Sequence, residues 1–469
     1  MDLSAYIGAL LPEFILLVGA CIVLLAGSAP VSRDSRGGSN VTGPLALITV
    51  IVAFGVSWLA GRPVAHPVTH ISGLLLTPMT YYVRLGGLFV GGLIVLCNLH
   101  LPVARERAEY FAMILFSLLG LLVTAAANDL VVLFFAIELV SVPTYILISL
   151  SREDRRASES AIKYFFLGAF AAGIMLYGFS FLYGTLGGTT TMIATAQSAG
   201  MSGVAGALAG KSTLVTIGLL LALAGLFFKM AAVPFHVYAA DVYEGAASPV
   251  TGLLGFLPKF AGFVAAAKLL AVFNWDAARL ETVYWVLWIV AALTMTLGNT
   301  LALLQTNVKR ILAYSSIAHS GYMLIGLIVG PALVGEGGPM RDGVAAMLFY
   351  MVVYGTMNLG AFAVLSAVAR RGEPVEELRD LTGMGVRRPL LSLAMAVCMF
   401  SLMGFPPTAG LLGKVYIFAS AFSAGDMHPF GHALVVLAVI GVINSAIGAA
   451  YYLRIVATCY NKAPADDVP

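Results

Sequence analysis

The sequence has few charged residues for its length. Of its 469 residues, 10% are charged and 60% are hydrophobic, whereas a soluble domain carries about 25% charged residues. So few charges cannot cover a water-facing surface, which excludes a soluble globular fold. The net charge is +3 and there is no basic tail, so the composition offers no surface for nucleic acid.

Motifs that bind cofactors or metals are also missing. The four cysteines, Cys21, Cys97, Cys398 and Cys459, form no CxxC pair, and each lies in or beside an apolar run. We interpret them as small packing residues and not as ligands of a metal or an iron–sulfur cluster. The sequence has no GxGxxG or Walker A motif, so we expect no nucleotide or redox cofactor in this chain.

Long apolar runs are what the sequence does have. Runs long enough to cross a bilayer as a helix, about 18 residues, recur along the whole chain. They predict an all-α polytopic membrane helix bundle of thirteen spans embedded in the lipid bilayer. The predicted spans cover residues 6–27, 43–61, 80–100, 109–127, 129–150, 160–185, 213–238, 246–272, 284–304, 309–329, 342–369, 389–423 and 431–457.

Two of these spans contain prolines in their interior and are predicted to break. Proline donates no backbone hydrogen bond, and its ring crowds the preceding turn. In the seventh span Pro234 leaves the carbonyl of Met230 without its amide, and in the long twelfth span the pair Pro406-Pro407 does the same to Met403. A free carbonyl in lipid needs another partner, so we expect water or polar side chains near Met230.

Loop charges predict how the spans are oriented. With the N-terminus outward, the inward loops hold most basic residues, including Lys309 and Arg310. The outward loops then hold only Arg62, Arg84, Lys211, Arg279 and Arg341. This asymmetry follows the positive-inside rule and predicts an outward N-terminus.

Two segments of the chain are similar to each other. The segment from Glu138 to Ile148 aligns without gaps with the segment from Ser315 to Ile325, and a proline-containing span follows each. In the predicted topology they cross in opposite directions, which is the pattern of an inverted repeat. We therefore predict an N-terminal three-helix segment, two helix repeats and a polar tail, at residues 1–108, 109–272, 284–460 and 461–469.

Charged residues inside the spans are rare and are candidates for function. A charge at the bilayer centre costs at least roughly 2.5 kcal/mol, so it usually has a partner or a task. Glu138 lies in the middle of the fifth span, with Ser141 and Tyr145 on the same helical face. It is either a proton carrier, the acidic partner of a lysine, or a neutral carboxyl group that only bonds a neighbour.

Three lysines, Lys229, Lys259 and Lys414, lie within spans close to prolines. A buried lysine can take up and release a proton near neutral pH. We therefore predict that these lysines and Glu138 form a path for protons.

Four other residues inside spans allow two interpretations. Lys163 could reach the membrane surface or pair with Glu138, and Lys268 is expected to reach or pack at the membrane edge. His236 and His319 could relay protons, because a neutral imidazole both donates and accepts, or could be hydrogen-bonded packing. We include Lys163, His236 and His319 as supporting relay residues.

These segments resemble the antiporter-like membrane subunits of complex I, the respiratory NADH–quinone oxidoreductase, and in particular the bacterial N type. The resemblance is carried by IELVSVPTYIL around Glu138, ESAIKYFFLGAF around Lys163, FFKMAAVPFHVYAADVYEGAASPV around Lys229, LPKFAGF around Lys259, VKRILAYSSIAHSGYMLIGL around His319 and GFPPTAGLLGKVYIF around Lys414. The M type has a glutamate where this chain has Lys414, and the L type has a long lateral helix after its spans.

The resemblance implies a fold and a role. The family usually has fourteen spans, and this chain ends after the thirteenth predicted one. In the family, residues corresponding to Glu138 and Lys229 pair, Lys259 corresponds to the central link, and Lys414 corresponds to the terminal site. Protons move along this path, driven by quinone reduction elsewhere in the complex. The chain would be a non-redox subunit of a proton-pumping translocase in the inner membrane of a bacterium.

The resemblance also implies partners. NADH, FMN, iron–sulfur clusters and quinone would bind to other subunits, and the neighbours would be M-type and small K-type and J-type membrane subunits. The alternative is an Mrp-type cation/proton antiporter subunit, which shares the motifs but would exchange Na⁺ without oxidising NADH. A solute permease would need a polar pocket shaped for its substrate, and a scaffold would not keep so many buried charges.

Overall fold

The described part of the chain is built almost entirely of helices. A computed structural model describes residues 8–28, 41–61, 73–99, 106–151, 155–185, 188–192, 213–332, 341–369, 375–425 and 428–461. Helices suit a lipid environment, because an α-helix satisfies its backbone hydrogen bonds within one segment.

The α-helices follow one another in the order of the predicted spans. They are α1 (Leu11–Ser28), α2 (Thr42–Ala60), α3 (Pro78–Asn98), α4 (Arg107–Ala126), α5 (Leu130–Ser151), α6 (Arg155–Thr185), α7 (Thr213–Met230), α8 (Ala239–Gly245), α9 (Ser248–Leu254), α10 (Leu257–Val272), α11 (Glu281–Leu303), α12 (Val308–Val329), α13 (Gly343–Val368), α14 (Met384–Arg387), α15 (Pro389–Met403), α16 (Ala409–Ala424) and α17 (Gly431–Tyr460). A short 3₁₀-helix spans Leu378–Leu381.

The helices form two compact units, each with a buried central helix. The first unit runs to Lys229 and includes residues 257–283; at its centre α10 is buried along nearly its whole length and packs against α4 and α5. The second unit contains residues 230–256 and the chain from Tyr284 onward. Its central helix, α12, packs against α8, α13, α16 and α17. The predicted division into sequence repeats remains a prediction.

The predicted spans and both predicted breaks are confirmed. In the described residues, eleven helical segments are long and apolar enough to cross a membrane alone, and three apolar helices are shorter. Two of the shorter ones are α15 and α16, the halves of the broken twelfth span, which are separated between Met403 and Ala409. Helix α7 ends at Met230, shortly before Pro234.

One further break was not predicted. The eighth predicted span, 246–272, consists of α9 and α10, which a turn at Gly255 and Phe256 separates. Pro258 explains the break, because it cannot donate to the carbonyl of Leu254. The short helix α8 occupies a connection for which no helix was predicted.

Arg84 is a buried residue and not the outward loop charge that we predicted. It lies in α3, is 9% exposed and donates from Nε to Glu13 Oε1 at 2.8 Å and from Nη2 to Glu13 Oε2 at 2.9 Å. Glu13 in α1 is 6% exposed, so Glu138 is not the only acid inside a span. This two-point ion pair fastens α1 to α3. Of the other predicted outward charges, Arg62 and Lys211 lie outside the described residues.

Close helix packing surrounds the acidic residue of α5. A Cβ atom on Gly120 of α4 would lie 2.6 Å from the backbone nitrogen of Val140. The Ser117 hydroxyl, also on α4, donates to the carbonyl of Val140 at 3.1 Å. Small residues let helix backbones approach closely in membranes, so α4 supports α5 directly beside Glu138.

Candidate functional site

Lys229 lies at the end of α7, surrounded by three oxygen atoms of α5. Its Nζ donates to Glu138 Oε1 at 3.1 Å, to Ser141 Oγ at 2.7 Å and to Tyr145 Oη at 3.3 Å. An ammonium group has three N–H donors, so each donor has an acceptor. The side chain of Lys229 is 2% exposed and that of Glu138 is 21% exposed. The structure therefore brings together the two residues that the resemblance pairs.

The spacing of residues in α5 produces this arrangement. Glu138, Ser141 and Tyr145 are three and four residues apart, so they share one face of the helix. The Ser141 hydroxyl donates to the carbonyl of Ile137 at 2.7 Å. Its hydrogen is thus committed to the backbone, and its oxygen remains available to accept from Lys229.

Helix α6 holds Tyr145 in place. The ring of Tyr145 packs edge-on against Tyr164, with 4.7 Å between ring centroids, and against Phe165 at 5.8 Å. A Cβ atom on Gly168 would lie 2.1 Å from Tyr145 Oη. Glycine at this position therefore makes room for the hydroxyl group that faces Lys229.

Two buried lysines lie on α10, roughly 14 Å apart along the axis at 1.5 Å per residue. Lys259 is 2% exposed and Lys268 is 6% exposed. Lys268 donates to the carbonyl of Ala127 at 2.8 Å, at the C-terminus of α4. Of the two expectations for Lys268, the structure favours packing over a side chain that extends to the membrane surface. Lys268 binds a helix C-terminus, where the helix dipole favours a cation.

Lys163 is paired on its own helix, and His236 follows the end of α7. Lys163 Nζ is 2.7 Å from Glu159 Oε1, one turn earlier on α6, and its side chain is 44% exposed. Of its two interpretations, the structure favours the exposed one, since Glu138 is paired with Lys229. His236 is half-buried in the non-helical stretch after α7. Among the described residues its Nδ1 has no hydrogen-bond partner.

Polar side chains occupy the break at Pro234, as predicted. The carbonyl of Met230, which Pro234 leaves without its amide, accepts a hydrogen bond from Ser320 Oγ at 2.7 Å. The amide of Val233 donates to Thr294 Oγ1 at 3.0 Å. Side chains from α11 and α12 thus replace hydrogen bonds that the broken helix cannot make.

His319 lies in the middle of α12, between two tyrosine hydroxyl groups. Its Nδ1 is 2.6 Å from Tyr350 Oη, and its Nε2 is 2.8 Å from Tyr452 Oη. Tyr452 also hydrogen-bonds to Ser315. A neutral imidazole has one donor and one acceptor nitrogen, so it can join the two hydroxyls into one continuous hydrogen-bonded chain.

The second break supplies a hydrogen-bond acceptor for Lys414. It lies in α16 and donates to the carbonyl of Met403 at 2.9 Å and to Ser445 Oγ at 2.8 Å. Met403 ends α15, and Pro407 supplies no amide for its carbonyl. The Nζ atom also lies 5.2 Å from the ring centre of Tyr322, within the range of a cation–π interaction.

The two internally similar segments place a tyrosine beside each of these lysines. Tyr145 and Tyr322 are aligned in the sequence comparison, and they contact Lys229 and Lys414, respectively. The carboxylate is not repeated, because the position aligned with Glu138 holds a serine. At the aligned positions the first unit therefore has an ion pair, whereas the second has a lysine with neutral acceptors.

A second group of charges lies at the start of α12. Arg310 Nη1 is 2.9 Å from Asp241 Oδ1 and 2.7 Å from Glu244 Oε2. Lys309 is 1% exposed and donates to the carbonyl of Ala246 at 2.9 Å. Both basic residues were predicted to be loop charges, but they lie in the first turn of α12. Arg310 connects α12 to α8, and Lys309 connects α12 to Ala246, the residue after α8.

Gly410→Ala is expected to disturb the packing of α16 against α15 at the second break. A Cβ atom there would lie 1.8 Å from the backbone carbonyl oxygen of Ser401, which cannot swing aside. Overpacking of this kind costs about 1–3 kcal/mol. We expect the variant to lower the thermal unfolding midpoint of the detergent-purified protein. Gly173→Ala in α6 is the matched control, since nothing lies within 4 Å of its added carbon; equal midpoints in the two variants would contradict the prediction.

The chemistry available to these residues is the binding and release of protons. Within the described residues, no three His, Cys, Asp or Glu side chains form a group that could hold a metal ion. The groups inside the spans are instead amines, a carboxyl group, an imidazole and hydroxyls, and Lys229, His319 and Lys414 are each hydrogen-bonded to at least one of the others. Amines, carboxyl groups and imidazoles can take up and release protons, and hydroxyls can pass them on.

Comparison with known proteins is consistent with this chemistry. Residues 127–447 match the family model described as NADH:quinone oxidoreductase/Mrp antiporter, transmembrane. The N subunit of NADH-quinone oxidoreductase from Trichlorobacter lovleyi is 40% identical over 461 residues, covering 97% of this chain and 88% of the relative.

Solved structures share the fold. A chain of respiratory complex I from Thermus thermophilus superposes with a TM-score of 0.75 at 29% identity, covering 98% of this chain and 92% of that one. A chain of the Mrp complex from Dietzia has a TM-score of 0.77 at 22% identity, covering 97% and 81%. This second likeness concerns the fold alone.

Proposed function

The chain belongs to the NADH:quinone oxidoreductase/Mrp antiporter membrane family and groups with the N subunits of NADH-quinone oxidoreductase, and from this we propose that it moves protons across the membrane in such a complex. It is a multi-pass membrane protein. The single observation that carries the proposal is the ion pair between the buried Lys229 and the partly buried Glu138 at the end of a broken span. A buried charge is costly to maintain, and a pair of proton-binding groups has a use in a proton path.

The ion pair supplies a site that can change its charge. Ionised Glu138 stabilises the ammonium group of Lys229 by direct attraction across 3.1 Å. A shift of the Glu138 carboxylate away from Nζ removes that attraction and leaves a buried ammonium, which is unfavourable. Lys229 then releases its proton toward Lys259, the next carrier that we propose, on the central helix of the same unit.

The second unit supplies further carriers. We propose that His319 passes protons between the hydroxyls of Tyr350 and Tyr452, which lie 2.6 and 2.8 Å from its ring nitrogens. Lys414 would be the terminal carrier, held by the carbonyl of the broken helix. His236 has a supporting role in this proposal. Lys163 has none, because its side chain is 44% exposed and is paired with Glu159 on its own helix.

The proposal extends to partners and location. Oxidation of NADH and reduction of quinone would take place in other subunits, which would bind NADH, FMN, iron–sulfur clusters and quinone. The neighbouring subunits would be of the M type and the small K and J types. The membrane would be the inner membrane of a bacterium, with the N-terminus outward, as the loop charges indicate.

Proton uptake by membrane vesicles that contain the complex tests the proposed function. In wild type we expect NADH to drive proton uptake, with no change when K⁺ replaces Na⁺. Lys414→Ala should lower that uptake several-fold while the complex stays assembled, because Ser445 and the Met403 carbonyl cannot carry the proton themselves. Proton movement that requires Na⁺ and proceeds without NADH would instead favour an Mrp-type antiporter.

A further inference from the structure

The three acceptors around Lys229 differ in what they can do when the lysine loses its proton. An ionised carboxylate such as Glu138 can only accept hydrogen bonds. The Ser141 hydroxyl has already given its hydrogen to the carbonyl of Ile137. Tyr145 keeps a phenolic O–H that can turn toward the nitrogen atom. Among the described side chains bonded to this Nζ, only Tyr145 can therefore donate to it while Glu138 is ionised.

A neutral amine needs such a donor. When Lys229 releases a proton, one N–H bond breaks, and the electron pair stays on the nitrogen as a lone pair. The proton passes to water or to the next carrier. A buried lone pair without a donor carries the cost of an unsatisfied polar group. The Tyr145 hydroxyl, 3.3 Å away, can donate a hydrogen bond to this lone pair by rotating its hydrogen, with no proton leaving the tyrosine.

We propose that Tyr145 and Ser141 are positioning residues with opposite effects on the protonation of Lys229. Ser141, whose oxygen only accepts here, stabilises the ammonium. Tyr145, which can reverse its hydrogen bond, stabilises the neutral amine. The inference rests on the proposed function, because it treats Lys229 as a group that must occupy both states during each cycle.

The surrounding groups do not duplicate this pair of contacts. On α5 the titratable groups near Lys229 are Glu138 and Tyr145. On α6, whose Gly178 packs against the backbone of α7, Tyr164 stacks on Phe228. The ion pair of Lys163 with Glu159 also lies on α6, and Lys259 lies on α10.

Opposite shifts of the pH profile are the expected result. A group that must be both protonated and deprotonated gives a bell-shaped dependence of rate on pH. Tyr145→Phe removes the donor to the neutral amine, so NADH-driven proton uptake by the assembled complex should peak about one pH unit higher. Ser141→Ala removes an acceptor from the ammonium, so its profile should move about one pH unit lower.

Two further variants separate this effect from a change in packing. Tyr164→Phe removes a hydroxyl from the same aromatic cluster and should leave the profile where it is in wild type. Gly168→Ala keeps Tyr145 but pushes on its hydroxyl, so its profile should move in the direction of Tyr145→Phe. Assembly is followed in the same membranes, and Gly168→Ala keeps the test decisive if Tyr145→Phe fails to assemble.

The outcomes distinguish this inference from the proposed function. The inference would be overturned if Tyr145→Phe and Ser141→Ala shifted the profile in the same direction, or if neither shifted it relative to Tyr164→Phe. In either case, proton uptake by the wild-type complex would still support the proposed function. Wild-type complex that oxidises NADH without taking up protons would overturn the proposed function itself. Opposite shifts support both.

Discussion

Lys229→Ala is expected to lower NADH-driven proton uptake by about 100-fold or more, since a positioned proton-transfer group contributes about that much. The substitution removes the proposed carrier and deprives Glu138 of the cation 3.1 Å away. If proton movement and electron transfer are coupled, oxidation of NADH by quinone should fall with it. Both rates and the amount of assembled complex are measured in the same vesicles.

Lys163→Ala is the matched control for this experiment. Lys163 is also a lysine in the first unit with a glutamate partner, but its side chain is 44% exposed and Glu159 lies on its own helix. An exposed pair of this kind contributes about 0–1 kcal/mol, and uptake should stay close to that of wild type. Full pumping by an assembled Lys229→Ala complex, or an equal loss in both variants, would show that the buried lysine has no special role.

Arg84→Met is expected to produce the largest loss of stability. Removing one partner of a buried ion pair costs about 3–5 kcal/mol, because the other charge stays buried without compensation. Here Glu13 would lose both of its hydrogen bonds from the guanidinium group. We expect α1 to detach from α3 at a lower temperature, measured as the midpoint of thermal unfolding of the purified complex in detergent.

Two variants test the cause of that loss. The double substitution Glu13→Leu with Arg84→Met removes both charges, and it should recover most of the stability. Arg279→Met breaks an exposed pair with Asp276, in which the side chains are 40% and 43% exposed. It should change the midpoint little. A double variant as unstable as Arg84→Met would mean that packing, and not the unpaired carboxylate, sets the cost.

The features that sequence predicts well are those decided within one helix. The length of each apolar run fixed the spans, and the missing amide of proline located the breaks after Met230 and Met403. The spacing of Glu138, Ser141 and Tyr145 placed three polar side chains on one face of α5. Each of these inferences uses residues within two turns of each other, where helix geometry leaves little freedom.

Apart from the break before Pro258, what the sequence missed were contacts between distant helices. Nothing near Arg84 in the sequence indicates that its partner is Glu13, which lies 71 residues away. For Lys163 the sequence left two interpretations open. Its position at the start of a span allowed pairing with Glu138, but only the packing of α6 decides which of its faces is exposed.

The tyrosines around His319 were missed for a related reason. Tyrosine is common in the interface belts of membrane proteins, so Tyr350 and Tyr452 do not stand out in the sequence. Their hydroxyls reach the imidazole only because α13 and α17 both pack against α12. The hydrogen-bonded chain is therefore a property of tertiary packing.

The capped carbonyl at Pro234 makes two distant positions depend on each other. Ser320 bonds to the carbonyl of Met230 across 90 residues of sequence, and that carbonyl is available only because residue 234 lacks an amide. An ordinary residue at position 234 would offer an amide that competes with Ser320, whereas loss of Ser320 is harmful only while Pro234 is present. The effect of a mutation at either position is thus expected to depend on the residue at the other.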